Sequence, residues 1–125
     1  MDAGEMLFFS QNQTALSAYL ALRGEIMRAW PKSAVRVMKT QITFSDPRGY
    51  CFASLRRGCL VVSFGLGRPL EHPRLFAVAN PAPGRYTCHV LVKAPPDIDA
   101  ELMAWVRQSH DFMAGRHANS RKPLT

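Results

Sequence analysis

The sequence predicts an α+β domain built on a mainly antiparallel sheet of about 4-5 strands. Two main helices, one N-terminal and one C-terminal, lie on one face, and a short helix precedes the last strand. Three observations carry this expectation. Apolar residues recur at three- and four-residue steps near both ends of the chain. The stretch between them alternates with a period of two and is broken by turn residues at hairpin spacing. No internal repeat or interior linker divides the 125 residues. One domain over residues 6–114 is therefore expected, followed by a basic, flexible tail over residues 115–125.

Residues 12–30 read as the first helix. Leu16, Tyr19, Leu20, Ile26, Met27 and Trp30 form an apolar stripe that only Arg23 interrupts. Asn12 or Thr14 suits the N-cap, and Pro31 stops the helix because the residue before a proline avoids the α region. Val35 and Val37 then alternate with Arg36 and Met38, and Ile42 and Phe44 with Gln41 and Thr43. This predicts one or two short strands ended by the turn Ser45-Asp46-Pro47-Arg48-Gly49. Tyr50–Leu55 and Cys59–Leu66 read as strands joined by a hairpin turn at Arg56-Arg57-Gly58. His72-Pro73 to Ala79 reads as the short helix, with Pro73 in its first turn, and residues 80–84 as a loop. Tyr86–Val92 is the last strand. Asp97 is the expected cap of a second long helix, with Asp99 and Glu101 in its first turn and Gly115 as its stop. Its buried stripe is Ile98, Leu102, Trp105, Val106, Ser109, Phe112 and Met113.

Composition excludes whole classes. With 47% apolar and 20% charged residues, the chain is neither disordered, collagen-like nor coiled-coil. Sixteen Lys and Arg against nine Asp and Glu give a net charge of +7. That charge is segregated: residues 1–27 carry −2, residues 28–93 carry +9, and residues 94–114 carry −3. A basic strand region predicts an anionic partner: a small anionic ligand, an acidic protein, or, weakly, the backbone of a nucleic acid. Three cysteines are too few, and odd in number, for a disulfide framework. The acidic start and the lack of a run of roughly 20 apolar residues point to a cytoplasmic protein without a membrane partner.

Alternation sorts the strand residues onto two faces. Leu60, Val62, Phe64 and Leu66 share one, with Tyr86, Cys88, Val90 and Val92, and with Ile42 and Phe44. This apolar face belongs under the helices. The other collects Gln41, Thr43, Ser63, Thr87 and His89, rimmed by Arg48, Arg68, Arg74 and Arg85. Phe52 is placed on the apolar face with the other aromatics, which leaves the polar face without a stacking platform.

Catalytic and metal chemistry fare poorly. Cys88 and His89 are strand neighbours and point apart, so they make no nucleophile–base pair. The expected strand partner of Cys51 lies near Ser63, which separates Cys51 from Cys59 by about 13 Å at roughly 3.3 Å per residue. No metal site or cofactor is therefore expected. Gly65 and Gly67 form G-x-G without a third glycine or a following long helix, so no dinucleotide fingerprint is present.

A set of short motifs appears in order along the chain. These are Lys39-Thr40-Gln41-Ile42-x-Phe44, Pro47-Arg48, Val62-x-Phe64-Gly65-Leu66-x-Arg68, Pro73-Arg74, Gly84-Arg85-x-Thr87-x-His89-Val90 and Glu101-Leu102-x-x-Trp105. They resemble the bacterial domain-of-unknown-function family DUF5655 over about residues 6–114, and more distantly the small YdhG-like and MmcQ/YjbR-like α+β domains. The resemblance implies the architecture and no reaction. Where the family pattern has a second histidine beside the first, Cys88 stands here.

The functional expectation is a non-enzymatic binding module for an anionic ligand or partner on the open sheet face. Lys39, Arg68, Arg85 and His89 would be its charged contacts and Thr87 a neutral one. One alternative is a small enzyme or accessory subunit with His89 as acid/base near Lys39. The other is a protein-interaction or oligomerisation domain, whose sign is an exposed apolar patch.

Overall fold

The computed structural model describes residues 1–121, with side chains to residue 115. Six strands form one antiparallel sheet: β1 (Ala34–Val37), β2 (Ile42–Ser45), β3 (Gly49–Arg56), β4 (Cys59–Leu66), β5 (Leu75–Ala82) and β6 (Arg85–Val92). Their spatial order is β1-β2-β3-β4-β6-β5, so β6 returns between β4 and β5. Helices α2 (Gln13–Ala29) and α3 (Ala100–Arg121) pack on β3 and β4, and a short α1 (Ala3–Phe8) sits beside β1.

The α+β class stands, with six strands instead of four or five. The added strand is β5, which occupies residues read as a short helix and a loop. Its local sequence is helix-like because of Pro73 and three alanines. Pairing with β6, as Ala77↔His89 and Ala79↔Thr87, satisfies a ladder that a helix would leave open. At the sheet edge, Pro81 is tolerated where a central strand would reject it.

The helix-side face follows the alternation read from sequence. Ile42, Phe44, Ala53, Leu60, Val62, Phe64, Cys88 and Val90 are all fully buried there, against Leu22 and Ile26 of α2 and Leu102, Trp105 and Val106 of α3. Each such large apolar side chain contributes about 1.5–3 kcal/mol on burial. Leu20, placed in the α2 stripe by spacing, points to solvent, while Ala15, Ala18 and Leu22 take the inward positions. Cys51 pairs with Phe64, one residue from the expected register, and faces the core. Burial pushes its thiol up to about 12, so it holds no nucleophilic thiolate.

Several polar ties orient the helices. Ser109 Oγ donates to Tyr50 O at 2.7 Å and accepts from Gly65 N at 3.0 Å, which joins α3 to the ends of β3 and β4. A Cβ on Gly65 would come within 2.8 Å of Met113 Cε, so any side chain there displaces the methionine's terminal methyl. Asp99, not Asp97, caps α3 by accepting from Leu102 N at 3.0 Å. Asp97 instead accepts from Lys93 N and lies in the 3-10 turn Pro95–Asp97. Helix α3 continues through Gly115 to Arg121, because a glycine can be carried inside a helix at a cost of about 1 kcal/mol. The tail expected from residue 115 thus begins as helix, and residues 122–125 lie outside the described residues.

Arg23 breaks the α2 stripe for a reason that lies in α1. Its Nε donates to Glu5 Oε2 at 2.7 Å, and Tyr19 OH donates to the same oxygen at 2.5 Å. Glu5 is only 2% exposed and also closes a capping box with Asp2. Burial alone would raise its pKa. The hydrogen bonds from Arg23, Tyr19 and Asp2 outweigh burial and hold it below the ordinary 4.5. A depressed carboxylate contributes stability that is complete above 4.5 and is lost as pH falls through the lower, folded-state value. We expect Glu5→Ala to lower stability by about 3 kcal/mol at pH 7 in urea denaturation, since it strands Arg23 and Tyr19. Glu5→Gln should flatten the decline in stability of the native chain on acidification below pH 4.5.

Candidate functional site

The pleat that buries one face leaves the other open, apart from one end that the β1–β2 turn and Met113 of α3 reach. One rung of the ladder crosses all six strands on that face: Arg36, Thr43, Phe52, Ser63, His89 and Ala77. The next rungs add Ser54, Val61 and Leu91 on one side and Gly65, Thr87 and Ala79 on the other. None of the six strands contains an Asp or Glu.

At the centre, Ser63 Oγ and His89 Nδ1 share a hydrogen bond of 2.7 Å. Burial holds the His89 pKa below the ordinary 6.5, so the imidazole is neutral at pH 7. The Phe76 ring lies 6.0 Å from His89 and is 43% exposed, and the Arg56 guanidinium sits 5.0 Å over it.

At one end the face holds a cavity of about 340 Å³. The β1–β2 turn folds over Thr43, whose Oγ1 accepts from Gln41 Nε2 at 3.2 Å and donates to Met38 Sδ at 3.4 Å. Arg48 and Gly49 come from the β2–β3 turn, Phe52 forms the floor, and Met113 reaches in from α3. Arg85 closes the wall. Its Nε is enclosed and has no hydrogen-bond partner.

The residues expected to form the site divide. Arg85, Thr87 and His89 lie on the open face, as read. Arg68 does not: its Nη2 donates to Gln108 of α3 at 2.9 Å. Arg74 leaves the rim as well, bound to Asp99 at 2.8 Å, to Glu101 at 3.1 Å and to the carbonyl of Asp97. Lys39 is exposed in the β1–β2 turn, beyond Ile42. Three strand spacings separate β2 from β6, about 14 Å, so Lys39 and His89 are not brought together and the acid/base pairing is set aside.

Phe52 and Phe76 were missed. Phe52 pairs with Ser63 and lies on the open face, which corrects its assignment to the apolar face and restores a stacking surface. The signal was available, since Phe52 lies out of phase with Ala53 and Leu55; assignment by residue type overrode it. Phe76 was hidden by the helical reading of β5. The expected sign of an interaction surface is also present elsewhere. Met6 and Leu7 of α1 and Leu20 of α2 are exposed, Leu7 to 73%.

The geometry defines a class: a two-layer α+β domain with one face of its sheet covered and an uncovered face that is cationic and aromatic. The family model described as "Domain of unknown function (DUF5655)" matches residues 6–113, and the chain belongs to that family. No curated protein matches the chain. No solved structure matches it. The more distant likeness to YdhG-like and MmcQ/YjbR-like domains is not shown by these comparisons. Among the described residues, no helix is long and apolar enough to cross a membrane.

Burial sets the sign of the His89 titration. With its folded pKa depressed, the residue supports stability above 6.5 and withdraws it as pH falls below that value. In a proton NMR titration the His89 resonance should show a midpoint below 6.5. A midpoint at or above 6.5 would mean that the ring stands in water.

Proposed function

We propose that this domain is a non-enzymatic binding module for an anionic ligand, held on the open sheet face with Arg85 as its anchor. The observation that carries this reading is the enclosed, unpartnered Nε of Arg85 in the wall of the cavity. An enclosed N–H without an acceptor costs about 1–3 kcal/mol. A phosphate or carboxylate oxygen in the cavity forms a charge-assisted bond with the guanidinium that lines it. The absence of acidic side chains from the strands means that no protein carboxylate on this face competes. Gln41 and Thr43 offer neutral hydrogen bonds beside the guanidinium, and Lys39 extends the positive field. Three free cysteines support placing the module in the reducing cytoplasm.

Isothermal titration with tripolyphosphate and with citrate tests this. Arg85→Ala should weaken the bound probe by about 10- to 100-fold, the worth of a charged hydrogen bond, without lowering the urea midpoint. Arg68→Ala should bind as the native chain does. Equal binding by Arg85→Ala, or binding of neither probe, sinks the reading.

A second reading rests on a different observation. Met6, Leu7 and Leu16 border an open groove of about 500 Å³ on the outside of α1 and α2, and a second copy of the chain is the occupant this reading names. Sedimentation equilibrium at tens of micromolar should then show a dimer that Leu7→Lys dissociates. A native chain that stays monomeric excludes it.

A further inference from the structure

We infer that the anionic ligand is a single-stranded nucleic acid, whose bases stack along the row Phe52, His89 and Phe76 while its phosphates engage the arginines flanking that row. This rests on the anionic-ligand reading above and adds the ligand's class.

The aromatic row carries the argument. Phe52 and His89 flank Ser63 on one rung, so their strands stand about 10 Å apart across the sheet. Phe76 continues the row beyond His89, with its ring 6.0 Å away. Three aromatic rings therefore follow one another across the face, with Arg56 against one side of the Phe76 ring and Met113 of α3 reaching only the end near Phe52. Because Ser63 and His89 bond to each other, the middle of the row asks for no polar partner and accepts a flat ring. Successive bases stacking on side chains of this kind are a sequence-tolerant way to hold a single strand.

Charge complements the row on both sides. Arg36 lies at the β1 end of the same rung and Arg56 stands over Phe76. Arg85 closes the cavity beside Phe52. Arg36, Arg56 and Arg85 form no ion pair among the described residues, whereas Arg23, Arg28 and Arg74, away from the face, all do. Other anions use only part of this surface. A small phosphorylated metabolite would fill the cavity and leave Phe76 and Arg56 idle. An acidic protein surface would meet the arginines and gain nothing from three rings. A duplex hides its bases from a flat face.

The test uses the full chain, a fluorescein-labelled ten-nucleotide oligo(dT) and oligo(U), and fluorescence anisotropy. Both strands should bind, with affinity falling as salt rises at a logarithmic slope of about −2 to −3, as three or four phosphate contacts require. Phe76→Ala and Phe52→Leu should each weaken binding by about 5- to 100-fold. Phe76→Ala, which lies outside the cavity, should not alter the affinity for tripolyphosphate. Because Phe76 lies on the edge strand at 43% exposure, that variant decides the matter even if Phe52→Leu fails to fold. An abasic strand that binds equally well, a duplex that binds as tightly, or full affinity in Phe76→Ala overturns the inference and leaves the anionic-ligand reading standing. Binding of tripolyphosphate without either strand does the same. Binding of neither probe overturns both.

Discussion

A β-strand sends successive side chains to opposite sides, and here α2 and α3 both settle on the same side. Leu60, Val62, Phe64, Cys88 and Val90 meet them with no exposure at all, so the core is single and lies wholly between the layers. The other half of every strand is thereby left out of that core. Thr43, Phe52, Ser63 and His89 occupy a face whose composition the core does not dictate. The open face exists because the pleat has two sides and the helices cover one.

Charge follows the same division. Asp2 and Glu5 cap α1, and Glu5 also holds Arg23. Glu25 pairs with Arg28, Asp46 with His110, and Asp99 and Glu101 with Arg74. The acids are thus consumed in orienting helices and loops on the covered side. Arg74 and Arg68 are drawn there too, as the ties that hold the β4–β5 connection and α3 together. The cations left on the strand side have no carboxylate within the strands to meet. Segregation along the chain, −2 and −3 around +9, becomes segregation in space only in part, because Arg28, Arg68 and Arg74 of the basic segment are held on the helix side.

The helix-side face was legible because strict alternation over eight residues of β4 and β6 leaves one arrangement that hides the large apolar groups. Helices α2 and α3 were legible from their stripes, whereas the short α1 was not read. The unread features depend on partners remote in sequence. Arg23 looks like a defect in a stripe until Glu5, eighteen residues away, is folded beneath it. Arg68 and Arg74 look like rim cations until Gln108 and Asp99 arrive from α3. β5 resembles a helix until β6 offers it a ladder. Of the candidate site, Arg85, Thr87 and His89 were readable from β6 alone, whereas the cavity needs two separate turns and Met113 of α3 to close around it.

Solubilising charge and binding charge differ in one physical respect, which is contact with water. An arginine that serves solubility keeps its donors hydrated, and Arg57 in the β3–β4 turn is of that kind. Arg85 is not, because its Nε is enclosed and unmatched in a cavity wall that it shares with Met113. The centre of the face is already satisfied through Ser63 and His89. The demand is therefore localised at one end, and the far end, where Arg56 lies over Phe76, offers only flat, tolerant contact. On the proposed function, that end would hold one anionic group and the row would take whatever extends from it.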